Sequence, residues 1–203
     1  MTMRVVFFSA MLLLICRVSA AETPAMVATC NGCHQPALNV ATGAPELAGQ
    51  HESYLQKQLL QFQNGQRGAD ASDSRGQQMA AMAKALSSDD IAALARYFAQ
   101  QTPQPLQTQQ VDAAVLDRGR RIYIGSCGAC HGDKAQGNLA FNAPALHNLN
   151  ADYIALQISH FKIGARGSAK TDKPGRQMTF ISRSLTSEQD IAAVAAYIGV
   201  VLP

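Results

Sequence analysis

The chain has 203 residues, 47% of them apolar, with 17 lysine and arginine side chains against 14 aspartate and glutamate. A formal charge of +3 excludes a nucleic-acid binder, which needs a strong basic surplus. Beyond the first twenty residues no stretch approaches the roughly 20 apolar residues of a membrane span, so the exported product is expected to be soluble.

MTMRVVFFSAMLLLICRVSA comes first. Arg4 supplies a positive start, Val5 to Cys16 are apolar apart from Ser9, and Val18-Ser19-Ala20 offers small residues for cleavage. This is the pattern of a secretory signal, so residues 1–20 are expected to be removed and the remainder to reach the periplasm. Cleavage takes away Arg4, Cys16 and Arg17, lowers the formal charge to +1 and leaves 183 residues, enough for one large or two small domains.

The elements that follow read as helices. Tyr54, Leu55, Gln58, Leu59 and Phe62 share one helical side, and Ser87-Ser88-Asp89-Asp90 opens a further apolar-periodic run with a capping pattern. QQTPQPLQTQQ, residues 100–110, has two prolines, six glutamines and no charge, which predicts an extended linker over 101–111. After it, Tyr153, Ile154, Ile158 and Phe161 share a helical side, and Thr186-Ser187-Glu188 repeats the capping pattern. No alternating strand pattern is found. The expected class is all-α, with short helices and long loops.

The two halves repeat. CNGCH (30–34) matches CGACH (127–131), and after a two-residue insertion Ala44-Pro45 matches Ala143-Pro144. Tyr54, Phe62, Gly65, Arg67 and Gly68 match Tyr153, Phe161, Gly164, Arg166 and Gly167. This is a duplicated domain, with copies at 21–100 and 112–203. Domains this small need a covalent or cofactor staple.

Cys30-Asn31-Gly32-Cys33-His34 and Cys127-Gly128-Ala129-Cys130-His131 point to that staple. Two cysteines three positions apart on a starting helix can each add across a haem vinyl group, and the next histidine can offer its imidazole to the iron. A zinc site from two such pairs normally separates them by about 15–20 residues, whereas Cys33 and Cys127 are 94 apart. Thioredoxin-type thiols need a strand–helix context. Structural disulfides are the third alternative, in an oxidising compartment. None of these explains a histidine in the same place twice.

Haem iron with a histidine on one side commonly takes methionine on the other. Copy two has Met178, seven residues before Leu185; Met79 lies seven before Leu86, whereas Met82 aligns with Ile181. Met79 and Met178 are therefore the expected second ligands, with Met82 a packing residue beside Met79. His51, His147 and His160 do not recur and read as surface or loop residues.

With both Cys-x-x-Cys-His motifs, LAGQHESYLQKQL (47–59) and the matched methionine spacings, the chain resembles the cytochrome c4 family over residues 22–201: two class I cytochrome c domains in tandem. The resemblance implies two covalently bound haem c groups, with Pro45 and Pro144 at the position whose carbonyl receives the N–H of His34 or His131. It also implies a periplasmic carrier between respiratory redox proteins: a donor complex or small carrier, and a terminal oxidase or reductase. Peripheral association with the membrane is compatible with that role, and nucleic acid is not an expected partner.

Class I domains usually begin with a helix carrying glycine and an aromatic residue four apart. Gly119 and Tyr123 supply these in copy two, but Glu22 and Met26 stand there in copy one, so domain 1 is expected to have a shorter first helix and lower stability.

Iron with six ligands leaves no place for a substrate, so electron transfer rather than bond-making is expected. Two alternatives are a haem subunit of a dehydrogenase complex, such as a flavocytochrome, and a two-haem peroxidase, against which the paired methionines argue. Arg67 and Arg166 read equally as partners of haem propionates and as solvated surface residues. Lys162, Arg166, Lys170, Lys173 and Arg176 crowd one stretch of the second copy, read more readily as a solvated loop than as a docking site for an acidic partner.

Overall fold

The structure, a computed structural model, describes residues 23–105 and 110–201. The signal sequence expected at 1–20 lies outside these residues, as does the middle of the linker. Among the described residues there is no strand, only an isolated bridge between Asn138 and Ala143, and no helix is long and apolar enough to cross a membrane.

Domain 1 contains α1 (Val27–His34), α2 (Pro36–Thr42), α3 (Glu52–Gln63), α4 (Ser74–Ala83) and α5 (Ser88–Ala99). Domain 2 contains α6 (Ala113–Ser126), α7 (Gly128–His131), a 3-10 turn at Leu139–Phe141, α8 (Ala151–Ile163), α9 (Lys173–Ser184) and α10 (Glu188–Val201). The repeat pairs α3 with α8, α4 with α9 and α5 with α10.

Local chemistry starts these helices. Ser87 and Asp90 form a capping box at α5, each side chain bonding the other's backbone N–H. Asn150 caps α8 through the N–H of Tyr153 at 2.7 Å. Asp73 and Asp172 cap α4 and α9 by accepting from Gly76 and Gly175 at 2.8 and 3.1 Å. The helices that carry Met79 and Met178 are thus opened by the same residue type, placed by the repeat.

Each domain has its own core. In domain 2 the glycine of α6 permits a close helix crossing: a Cβ at Gly119 would strike the Ala193 carbonyl and lie 2.7 Å from Tyr197 Cβ. Tyr123, 1% exposed, packs its ring 5.8 Å from that of Tyr197. Domain 1 has a shorter opening helix, α1, and in place of that glycine–tyrosine pair it packs Met26 and Val27 against Ile91, Leu94 and Phe98. Among the described residues, seven buried side chains make the domain 1 core and eleven make that of domain 2, in keeping with a less stable first domain.

The domains meet through α3 and α8. The side of each helix that faces the other domain is polar. Gln58 and Gln157, at matched positions, are both buried there.

Candidate haem sites

The second Cys-x-x-Cys-His motif is a helical turn. The N–H groups of Cys130 and His131 both bond the Cys127 carbonyl, at 3.1 and 2.9 Å. This puts Cys127, Cys130 and His131 on one side, and together with Met178 from α9 they line a mostly apolar cavity of about 290 Å³. Tyr54, Lys57 and Gln58 close it from domain 1.

His131 Nδ1 lies 2.9 Å from the Pro144 carbonyl. A carbonyl only accepts, so Nδ1 carries the proton and Nε2 keeps its lone pair, the form that binds a metal. Burial lowers the pKa of His131, partly offset by the Pro144 bond, so the ring is neutral at pH 7. In domain 1, His34 Nδ1 donates in the same way to Pro45 O at 2.8 Å. Burial again lowers its pKa, against the pull of the Pro45 carbonyl and the nearby Glu46.

Met178 is half-buried on α9 and Met79 half-buried on α4. Met82 is 44% exposed on α4, and its counterpart Ile181 lines the domain 2 cavity together with Met178.

No disulfide joins Cys30, Cys33, Cys127 or Cys130. Burial, with Cys130 alongside, pushes the Cys127 thiol up to about 12, and burial also raises Cys30. Redox dithiols need the opposite, a lowered thiol pKa. Among the described residues no three His, Cys, Asp or Glu side chains gather to hold a bare metal ion.

Arg67 and Arg166 are not solvated. They are 6% and 7% exposed and join one network across the domain boundary. Arg67 bonds Gln58 (2.7 Å), Gln157 (2.9 Å) and the Tyr153 hydroxyl (3.0 Å). Arg166 bonds Gln157 (2.7 Å), Gln58 (2.8 Å) and the Tyr54 hydroxyl (2.8 Å). Each guanidinium also stacks on the phenylalanine of its own domain, Phe62 or Phe161, at 4.4 and 4.5 Å.

These residues fit haem. Two thiols, a ring nitrogen with a free lone pair and a thioether surround one apolar cavity. Nearby are two buried cations with no carboxylate in ion-pair reach among the described residues, and Arg67 Nε has no hydrogen-bond partner. Haem propionates would supply acceptors and negative charge there.

The family model described as Cytochrome c matches residues 20–102 and 116–201. The chain is 34% identical to cytochrome c4 of Azotobacter vinelandii, over 88% of this chain and 87% of that one. The chain belongs to the cytochrome c family, in its cytochrome c4 group.

A solved structure of reduced cytochrome c4 from Pseudomonas stutzeri superposes with a TM-score of 0.68 at 29% identity, covering 88% of this chain and 98% of that one. The thiosulfate dehydrogenase electron acceptor of Thiomonas intermedia (strain K12) is 35% identical over 73% of this chain and 69% of its own. Like other cytochromes of this group, the chain is a two-haem c-type electron carrier, with one haem c per domain.

The sequence reading missed three features. His160 is not on the surface or in a loop: it is 4% exposed on α8, with Nδ1 3.6 Å from Asp73 Oδ2. Asp172, its domain 2 counterpart to Asp73, pairs with Lys57 Nζ at 2.6 Å. The Gln58 and Gln157 bridge was likewise unread. The signal for it was a polar residue recurring at one place in both copies.

Proposed function

We propose that this cytochrome is a periplasmic relay between respiratory redox proteins, with one His/Met-ligated iron in each domain. The observation that carries this reading is the cavity shared by Cys127, Cys130, His131 and Met178, with His131 presenting a free Nε2. Haem supplies one-electron exchange when bound. In domain 2, Cys127 and Cys130 would attach it, His131 and Met178 would ligate its iron, and Pro144 orients the His131 ring. In domain 1 the matching residues are Cys30, Cys33, His34, Met79 and Pro45. The buried ring nitrogens are held neutral and pre-oriented, so redox change needs little rearrangement. Residues 21–100 form the first domain and 112–203 the second, joined by 101–111; the signal at 1–20 supports export.

Redox titration of the haem-loaded protein beside Met79→Ala and Met178→Ala tests the ligands. Each substitution is expected to lower one potential, a different one, and to remove one methionine–iron absorption band. A variant that changes neither removes that methionine from the assignment.

A second reading makes the chain the electron acceptor of a dehydrogenase, the role for which the Thiomonas relative is named. Stopped-flow mixing with a reduced thiosulfate dehydrogenase separates the two: fast, saturable reduction favours the second reading.

A further inference from the structure

The stretch LAGQ, residues 47–50, has no duty in the reading so far, and its last residue does not recur: Leu149 stands opposite Gln50 in copy two. Gln50 is 7% exposed, just before α3 in domain 1. Its carboxamide bonds both backbone groups of one residue of domain 2: Nε2 donates to the Ala145 carbonyl at 2.9 Å and Oε1 accepts from the Ala145 N–H at 3.0 Å. Oε1 also accepts from the His51 N–H at 3.0 Å. Two N–H donors converge on that atom, so the amide can stand only one way round.

The Ala145 N–H and the Pro144 carbonyl belong to the same planar peptide unit. The Pro144 carbonyl is the acceptor for His131 Nδ1 at 2.9 Å. A continuous chain therefore runs from the His131 ring through one peptide to the side chain of Gln50 in the other domain. Holding the N–H fixes the direction of the C=O. It also polarises the peptide, which makes that C=O a better acceptor. The peptide has little room to turn. Gly137, at φ +81°, packs against it so closely that a Cβ there would lie 2.6 Å from Ala145 N, 2.7 Å from Pro144 C and 2.6 Å from His51 Cε1. In domain 1 the matching peptide joins Pro45 to Glu46, and Leu149 has no hydrogen-bonding group to offer it.

We propose that Gln50 is an interdomain positioning residue: it sets the hydrogen bond of His131 to Pro144, so that domain 1 tunes the iron centre of domain 2 without the reverse. This rests on His131 being an iron ligand. A stronger acceptor for Nδ1–H makes the imidazole more basic and favours ferric iron. Gln50 thus lowers the domain 2 potential, and its loss raises it.

The test uses the haem-loaded full chain. Gln50→Leu is expected to raise the domain 2 potential and leave that of domain 1 in place. In proton NMR with labelled histidine, the His131 ring N–H should move upfield while that of His34 stays. Gln50→Met, closer in length, repeats the test if the leucine variant loosens the interface. Unmoved His131 signal and potential in Gln50→Leu and Gln50→Met overturn the proposal. So do equal shifts at both centres, which a general loosening would produce. Met178→Ala identifies the domain 2 potential independently; if His131 proves not to be a ligand in wild-type spectra, the function reading itself fails, whatever Gln50 does.

Discussion

Arg67 and Arg166 each bond the glutamine of the opposite domain: Arg67 to Gln157 at 2.9 Å and Arg166 to Gln58 at 2.8 Å. Because each also bonds the glutamine of its own domain, both carboxamide oxygens accept from both arginines. The interface is built on the internal repeat itself.

Replacing Arg166 with methionine keeps much of the stem's packing but strands the Tyr54 hydroxyl and part of Gln58. The expected loss is about 1–3 kcal/mol in denaturant unfolding of the haem-loaded protein. Arg67→Met should act alike. The double variant should be non-additive by about 0.5–3 kcal/mol, since the two share both acceptors. Arg166→Lys should not restore the loss, because an ammonium cannot span the fork.

The interface is expected to weaken in acid in two stages. His160 is held below its ordinary 6.5 first by burial, then by Arg67 and Arg166, against the pull of Asp73 and Asp70. A base held low in the docked state contributes stability that is full above pH 6.5 and is lost as pH falls from there through the docked value. Burial raises Asp172, but bonds from Lys57, the Gly175 N–H and Gln61 bring it below its ordinary 3.8. Its contribution is lost as pH falls below 3.8 through the docked value. Unfolding midpoints across pH should show both losses, and His160→Gln, which installs the residue found at the matched position 61, should remove the first alone.

Gly119→Ala should destabilise domain 2 and spare domain 1. The added Cβ has the Ala193 carbonyl and Tyr197 Cβ in its place, so α6 must shift off α10. Overpacking of this kind costs about 1–3 kcal/mol. Separate melting of the two domains, followed through the absorption of each haem, would register it.

Met82→Ala is expected to leave both potentials in place, since its counterpart Ile181 has no atom that could bind iron. A large potential shift would return Met82 to the candidates for iron ligand.

Much of this protein was legible in local spacing. The helical periods of α3 and α8, the caps at Ser87 and Ser187 and the Cys-x-x-Cys-His turns all depend on residues within a few turns or on matching positions of the two copies. The tertiary structure decided what lies between the copies. Sequence spacing could not say whether Arg67 and Arg166 meet water, because that depends on a second domain covering the polar side of α3. For the same reason His160 read as a surface residue until α8 was seen against Asp73. Gln50 marks the limit most clearly. Its partner, Ala145, lies 95 residues away in sequence, and only the docking of two unlike loops brings its amide onto the peptide that holds His131.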